Sequence, residues 1–344
     1  MSVGQRGVLA LGILAWILLA PGAFVQPQGR YRAYVSNEYG ASITVIDVAS
    51  DRVIGTIPVA GRPGEVRPRG MAVSPDGRTI YVALSDFNPQ LGSPEDKVVA
   101  IDVTRNQVVA EFGVDQVGTN PERVAVSPDG KQLWMANENA ARATGFDLET
   151  RKKLGEFQTG VEPEGVAVSP DGRFVYVTSE TSHTVTVIDA RALKLVKHFL
   201  VGHRPRFVVF SRDGTRAYVS AEIGGTVSIV DAREHRVIGT ISLGLDSRPV
   251  EMALSPDGRR LYVAGGGTST VYVIDTGTNR VIKAIRERMG RRPWGIAITP
   301  DGRKIYTANG LSDSVSVIDP ESLSVVGSIP AGRGPHSVVI GVAP

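Results

Sequence analysis

The stretch GVAVSPDGRFVYVTSE at residues 165–180 returns almost unchanged as GIAITPDGRKIYTANG at 295–310. A chain that repeats itself this closely builds its core from copies of one unit. The unit has four parts: a proline opening a β run, a Ser-Pro-Asp-Gly-like turn, an aromatic-led run, and a run ending in Asp. The prolines are Pro68, Pro121, Pro163, Pro205, Pro249, Pro293 and Pro335, at spacings of 53, 42, 42, 44, 44 and 42 residues. Tyr34, Tyr81, Trp134, Tyr176, Tyr218, Tyr262 and Tyr306 lead the aromatic runs, and Asp47, Asp102, Asp147, Asp189, Asp231, Asp275 and Asp319 close the third runs. A fourth run follows each Asp, as in VIGTIPV from Val53 and VVGSIPA from Val325.

Four short β runs in a period of 42 to 44 residues fit a propeller blade, whereas a helical solenoid would show a 3.6-residue rhythm. Thr184-Val185-Thr186-Val187 alternates polar with apolar, as a half-buried strand does. Proline presets φ for the turn and Gly tolerates positive φ, so Asp76-Gly77 and its counterparts are predicted to be hairpin tips. Ser211-Arg212-Asp213-Gly214 lacks the proline but keeps Asp-Gly, and the turn is expected to survive. The predicted fold is all-β: a seven-bladed β-propeller of four-stranded blades over residues 30–344. Residues 31–37 begin with no proline run before them, and residues 335–340 form a proline run with nothing after it. The C-terminal run is therefore expected to pair into the N-terminal blade and close the ring, removing two exposed edges.

Composition narrows the chemistry. The chain has no cysteine, which excludes disulfides, thiolate metal sites and a cysteine nucleophile. Its 38 basic and 35 acidic residues are too nearly balanced to announce a nucleic-acid partner. At the N-terminus, Arg6, the apolar run 8–20 and the small residues Ala20, Gly22 and Ala23 have the order of an export signal. A leader over residues 1–23 is predicted, with the mature chain starting between Phe24 and Gln28. The 13-residue run is shorter than the roughly 20 residues that span a bilayer, so no membrane span is expected after cleavage and the periplasm is the predicted compartment.

The repeated core resembles the YVTN-type β-propeller repeat, in YVSN at 34–37, YVTS at 176–179, YTAN at 306–309 and VID at 45–47, 187–189, 273–275 and 317–319. The resemblance covers essentially all of residues 30–344. With its leader and seven repeats, the chain is most similar to the periplasmic propellers associated with PQQ-dependent alcohol catabolism. That likeness implies a quinoprotein dehydrogenase or a transporter component as partner, with PQQ a candidate ligand here or in the partner. It carries over no catalytic residue and makes no other cofactor evident.

In a four-stranded blade the SPDG turns lie on one face, and the loops entering the innermost strands lie on the other, where function is expected. Candidate ligand-binding residues there are Arg69, Arg204, Arg206, Arg248, Arg292, Trp294 and His336. An acidic arc of Glu122, Glu138, Glu162, Glu164 and Glu180 on the third and fourth blades is the alternative. Arginine's planar fork suits a carboxylate or phosphate, so an anionic small molecule is the expected ligand. The competing reading is that these arginines are solvated loop residues pairing with the glutamates. Trp294 and Phe207 could stack a planar ligand or plug the channel. His183, His203 and His336 share no spacing that fixes ligand geometry, and no EF-hand-like loop accompanies the glutamates, so no metal is assigned. Gly265 to Gly267 is no phosphate loop, and no Gly-x-Ser-x-Gly elbow occurs.

Three functions stay open on the sequence. The leading expectation is a non-enzymatic periplasmic binding propeller that serves a quinoprotein oxidation and transport system. A lactonase- or lyase-like enzyme using a set such as Glu164, Glu180 and His183 is the second, and single-stranded nucleic-acid binding through the arginines and Trp294 is the third. Replacing Arg204, Arg206 and Arg292 together is expected to weaken binding and leave the fold intact.

Overall fold

The computed structural model describes Met1 and residues 30–343. Apart from Met1, the expected leader and its cleavage window lie outside the described residues.

Seven antiparallel sheets of four strands each form the chain. Blade 1 joins both ends: Pro335–Ala343 lies innermost, followed outward by Arg30–Asn37, Ser42–Asp47 and Arg52–Pro58. Ala33 pairs with Ile340 and Tyr34 with Val339, so the closure expected from the orphan runs is present. The remaining innermost strands are Val66–Val73, Pro121–Val126, Pro163–Val168, Pro205–Phe210, Pro249–Leu254 and Pro293–Ile298, opening blades 2 to 7.

The SPDG turns are built as their chemistry suggests. Ser74 donates to the Asp76 carboxylate at 2.6 Å and accepts the Thr79 N–H at 2.9 Å, while Gly77 takes φ +74°. The proline-free turn keeps this pattern, with Ser211 bonding Asp213 at 2.5 Å and Gly214 at φ +67°. Strand-ending aspartates cap the next turn, as Asp319 does for the Ser322 N–H at 2.9 Å, and are structural.

The repeated aromatics hold blades to one another. Tyr176 packs with Val208 and Val219 of blade 5, and Tyr262 with Ile296 and Ile305 of blade 7. Tyr306 joins Ala33 and Val35 of blade 1, and its hydroxyl donates to Asp51 at 2.5 Å. Each cluster spans two blades, so the core is a chain of interfaces around the ring.

Candidate active site at the channel mouth

Every innermost strand carries a register shift just after its proline, as between Pro163 and Val166 or Pro293 and Gly295. Proline lacks an N–H and cannot continue the ladder, and the resulting bulge re-aims the side chain that follows. Arg69, Glu164, Arg206, Trp294 and His336, each next to its proline, thereby converge on one cavity at the channel mouth. The residue before the proline adopts positive φ in six blades: Asn120 (46°), Glu162 (57°), Arg204 (58°), Arg248 (46°), Arg292 (55°) and Gly334 (65°). Only glycine takes this conformation freely. Its use here is to aim a carbonyl at the loop after the second strand. The Asn120, Glu162, Arg204 and Gly334 carbonyls accept the N–H groups of Glu138, Glu180, Glu222 and Glu38 at 2.8 to 3.1 Å. Four glutamates are thus planted at one equivalent position.

Against these glutamates the arginines are already paired. Arg206 donates to Glu222 at 2.6 Å and Glu164 at 2.7 Å and also contacts Glu180. Arg69 donates to Glu38 at 2.7 Å, contacts Glu122, and lies 3.9 Å from Glu164. Arg204 reaches Glu180 at 2.7 Å and Glu222 at 3.2 Å. The sequence suggested an acidic arc facing a basic one; the structure interleaves them, because residues one blade apart are neighbours in the ring. The triple replacement expected to spare the fold would strip the buried Glu164 carboxylate of its nearest counter-charge, Arg206, so it would destabilise it.

Crowding of carboxyls sets their protonation. Burial raises Glu164, but Arg206 and Arg69 outweigh it and bring that carboxyl down to about 2. Burial, then the Glu164 carboxylate, push Glu180 up to about 10. Burial, followed by the effect of Glu164 and Glu138, likewise holds Glu122 well above the ordinary range despite Arg69. Glu164 is therefore the carboxylate and Glu180 the protonated acid at neutral pH. An acid whose folded pKa is raised loses protons later than in the unfolded chain, so this group's stabilisation is greatest below about pH 4.3 and fades as pH climbs toward 10. Glu180→Gln, which mimics the protonated form, is expected to fold normally and to melt higher than wild type at pH 9, with the gap closing at pH 4; thermal melts at both values check it.

One layer deeper, Arg123 of blade 3 donates to Glu251 of blade 6, with the guanidinium 4.7 Å from the Phe207 ring. Both charged side chains are more than nine-tenths buried. Phe207 thus belongs to the channel filling. Glu251→Ala leaves Arg123 buried without its counter-charge and is expected to cost about 3–5 kcal/mol, whereas Arg123→Met with Glu251→Leu recovers most of it. Denaturant melts of the three chains test this.

The cavity above this layer has a volume of about 290 Å³, at the small end of ligand pockets. His336 sits in its wall, 6% exposed, with neither ring nitrogen hydrogen-bonded. Burial, reinforced by Arg69, Arg123 and Arg206, holds the imidazole well below its ordinary range, so it is neutral. Its ring lies 5.6 Å from Trp294, which also carries Arg292 at 4.6 Å and Arg206 at 5.2 Å. A buried imidazole with both nitrogens free is a group prepared for a ligand or a proton.

The other candidates divide. Arg204, Arg292 and Glu138 line the cavity; Glu122 and Glu180 stand behind it as partners of the arginines. Arg248 is exposed outside the cavity, and Glu162 bonds Thr181. The His183 ring lies 4.6 Å from that of His203, tilted at 54°, and its Nδ1 lies 2.8 Å from the Glu180 carbonyl, whereas neither His336 nitrogen is hydrogen-bonded. Among the described residues no group of three or more His, Asp or Glu side chains is placed to hold a metal ion. Glu38, Arg67, Glu222, Arg123 and Glu251 were not singled out from the sequence. The first and third were visible as Asn37-Glu38 and Ala221-Glu222, in step with Asn137-Glu138 and Ser179-Glu180.

Known proteins share this ring. Residues 196–325 match the family model described as lactonase, 7-bladed beta-propeller, and residues 93–204 match the cytochrome D1 heme domain. The periplasmic gluconolactonase PpgL of Pseudomonas aeruginosa is 22% identical over 91% of this chain and 99% of its own, with a TM-score of 0.73. A candidate 6-phosphogluconolactonase from Bacteroides fragilis is 18% identical over 92% and 99%, at a TM-score of 0.72. The dihydro-heme d1 dehydrogenase NirN, solved with DHE, is 18% identical over 90% and 74%, at 0.64. The chain is a seven-bladed β-propeller. No curated protein sequence matches this one.

The leading expectation from the sequence, a non-enzymatic accessory to PQQ-dependent oxidation, does not hold. The lactonase family model covers residues 196–325, and a gluconolactonase and a candidate 6-phosphogluconolactonase share nearly the whole propeller. Whole-chain likeness among propellers follows the blade repeat, which is common to many functions, and so misdirected that reading. Haem d1 does not suit these residues either. A tetrapyrrole needs a wide slot and free cations for its carboxylates, while the cavity holds about 290 Å³ and Arg69 and Arg206 are each engaged by three glutamates.

Proposed function

We propose that this propeller hydrolyses a lactone at the channel mouth, with His336 as the general base. The observation that carries the reading is the neutral, buried imidazole in the wall of a cavity flanked by Arg69 and Arg206, with neither ring nitrogen hydrogen-bonded. His336 takes a proton from a water molecule as the hydroxide oxygen bonds to the acyl carbon. The carbonyl oxygen becomes an oxyanion, which the neighbouring guanidinium dipoles and charges stabilise. Collapse breaks the bond between the acyl carbon and the ring oxygen, and the imidazolium returns its proton to the departing alkoxide. The product is the open-chain hydroxy acid. Glu164 and Glu180 touch the arginines and hold them in place, acting as positioning residues.

The lactonase family match, and the gluconolactonase and candidate 6-phosphogluconolactonase among the similar structures, support the reaction class. The free neutral imidazole favours catalysis over passive anion binding, since Arg67, Arg69, Arg204 and Arg206 are each already paired with a glutamate. Export to the periplasm belongs to the same reading, supported by the N-terminal charge-then-apolar order and by the periplasmic gluconolactonase with the same fold. Among the described residues no helix is long and apolar enough to cross a membrane. Acid release from a panel of five- and six-membered lactones, followed by pH-stat, tests the proposal. Hydrolysis above the buffer rate for at least one class is expected, and buffer rates throughout would refute it.

A further inference from the structure

We infer that the substrate is an uncharged lactone carrying an apolar substituent, and that a phosphorylated lactone is disfavoured; this rests on the lactone reading above. The first observation is the charge state of the cavity. Its cations Arg67, Arg69, Arg204 and Arg206 all lie within 4.0 Å of a glutamate, and Arg292 is seated on the Trp294 face. Glu38, Glu138 and Glu164 line the same space. Beyond Arg292, which among the described cavity residues has no carboxylate partner, a phosphate dianion would have to displace a buried carboxylate from its arginine, which is costly.

The second observation is the asymmetry of the walls. Blades 2 to 5 line the cavity with charged side chains, whereas blades 7 and 1, besides Arg292, Glu38 and His336, supply Trp294, Gly310, Leu311, Tyr39 and Pro335. Leu311 is 54% and Tyr39 44% exposed at the rim, and Tyr39 meets Phe87 edge-on at 6.4 Å. The apolar wall is continuous with the cavity that holds His336, so a lactone ring beside the imidazole directs its ring substituent along Trp294 toward Leu311 and Tyr39. Hydrolysis then turns an uncharged substrate into a carboxylate facing Glu38, Glu138 and Glu164, which promotes release of the product.

Non-hydrolysable lactams separate the possibilities by calorimetric titration of the whole protein: 6-pentylpiperidin-2-one, glucono-δ-lactam and glucono-δ-lactam 6-phosphate. The pentyl lactam is expected to bind at least about tenfold more tightly than the phosphate, with an affinity insensitive to salt. Leu311→Asn, at an exposed position, is expected to remove most of that advantage and leave melting unchanged. Tighter binding of either glucono-lactam, or an undiminished pentyl-lactam affinity in Leu311→Asn, overturns the substrate class while the lactone reading stands. Failure of all three lactams to bind overturns both.

Discussion

Replacing His336 by Leu is expected to lower kcat/KM for lactone hydrolysis by about 10²- to 10⁴-fold, the usual contribution of a general base, while raising the melting temperature. The two effects have opposite signs because the imidazole is buried with both nitrogens unpartnered. An unsatisfied buried polar group costs about 1–3 kcal/mol, which an apolar side chain of similar size avoids. A merely structural histidine would give the reverse, a loss of stability on substitution. The pH dependence sharpens the comparison. His336 is held below its ordinary range, so as pH falls through about 6.5 the unfolded chain gains a proton that the folded chain does not. Wild type therefore loses stability on the acid side, and the advantage of His336→Leu is expected to grow from pH 8 to pH 5. By the same shift, the acid limb of the wild-type rate profile is expected below pH 6.5. Melts and initial rates across this range check all three statements.

Deleting residues 335–344 is expected to abolish the cooperative melt. The segment supplies the innermost strand of blade 1 and buries Val338 and Ile340 in the cluster that joins blades 7 and 1. Two such side chains, the lost ladder and the newly exposed edges amount to about 5 kcal/mol or more, comparable with the whole stability of many domains. A permuted chain that places residues 335–342 before residue 31 through a Ser-Pro-Asp-Gly linker gives blade 1 the connectivity of the other six. It is expected to melt at or above the wild-type temperature. A deleted chain melting like wild type would mean that the closing strand contributes little.

Blade number, turn geometry, ring closure and the role of Tyr34 and its counterparts could be read from residues because each depends on local chemistry repeated seven times. The mouth of the channel was partly legible. Arg69, Arg206, Trp294 and His336 stand next to their prolines, and that position alone marks them. What they do there depends on neighbours that sequence distance conceals: Glu164 meets Arg206 across 42 residues and Arg123 meets Glu251 across 128. Reading charges blade by blade separated an acidic arc from a basic one, although ring geometry places Glu38 beside Arg69, and Glu164 and Glu180 beside Arg206, of the following blade. His336 was one of three loop-face histidines in the sequence. Its isolation, which singles it out, follows from a bulge and from the arginines being occupied by other partners.

Hydrolysis in H₂¹⁸O tests the central claim most directly. The hydroxy acid formed from a 6-alkyl-δ-lactone by wild-type protein is analysed by mass spectrometry beside the His336→Leu chain and buffer alone. One ¹⁸O in the product carboxylate, at a wild-type rate well above both controls, is the expected result; labelled product forming no faster with wild type than with His336→Leu or buffer would contradict it.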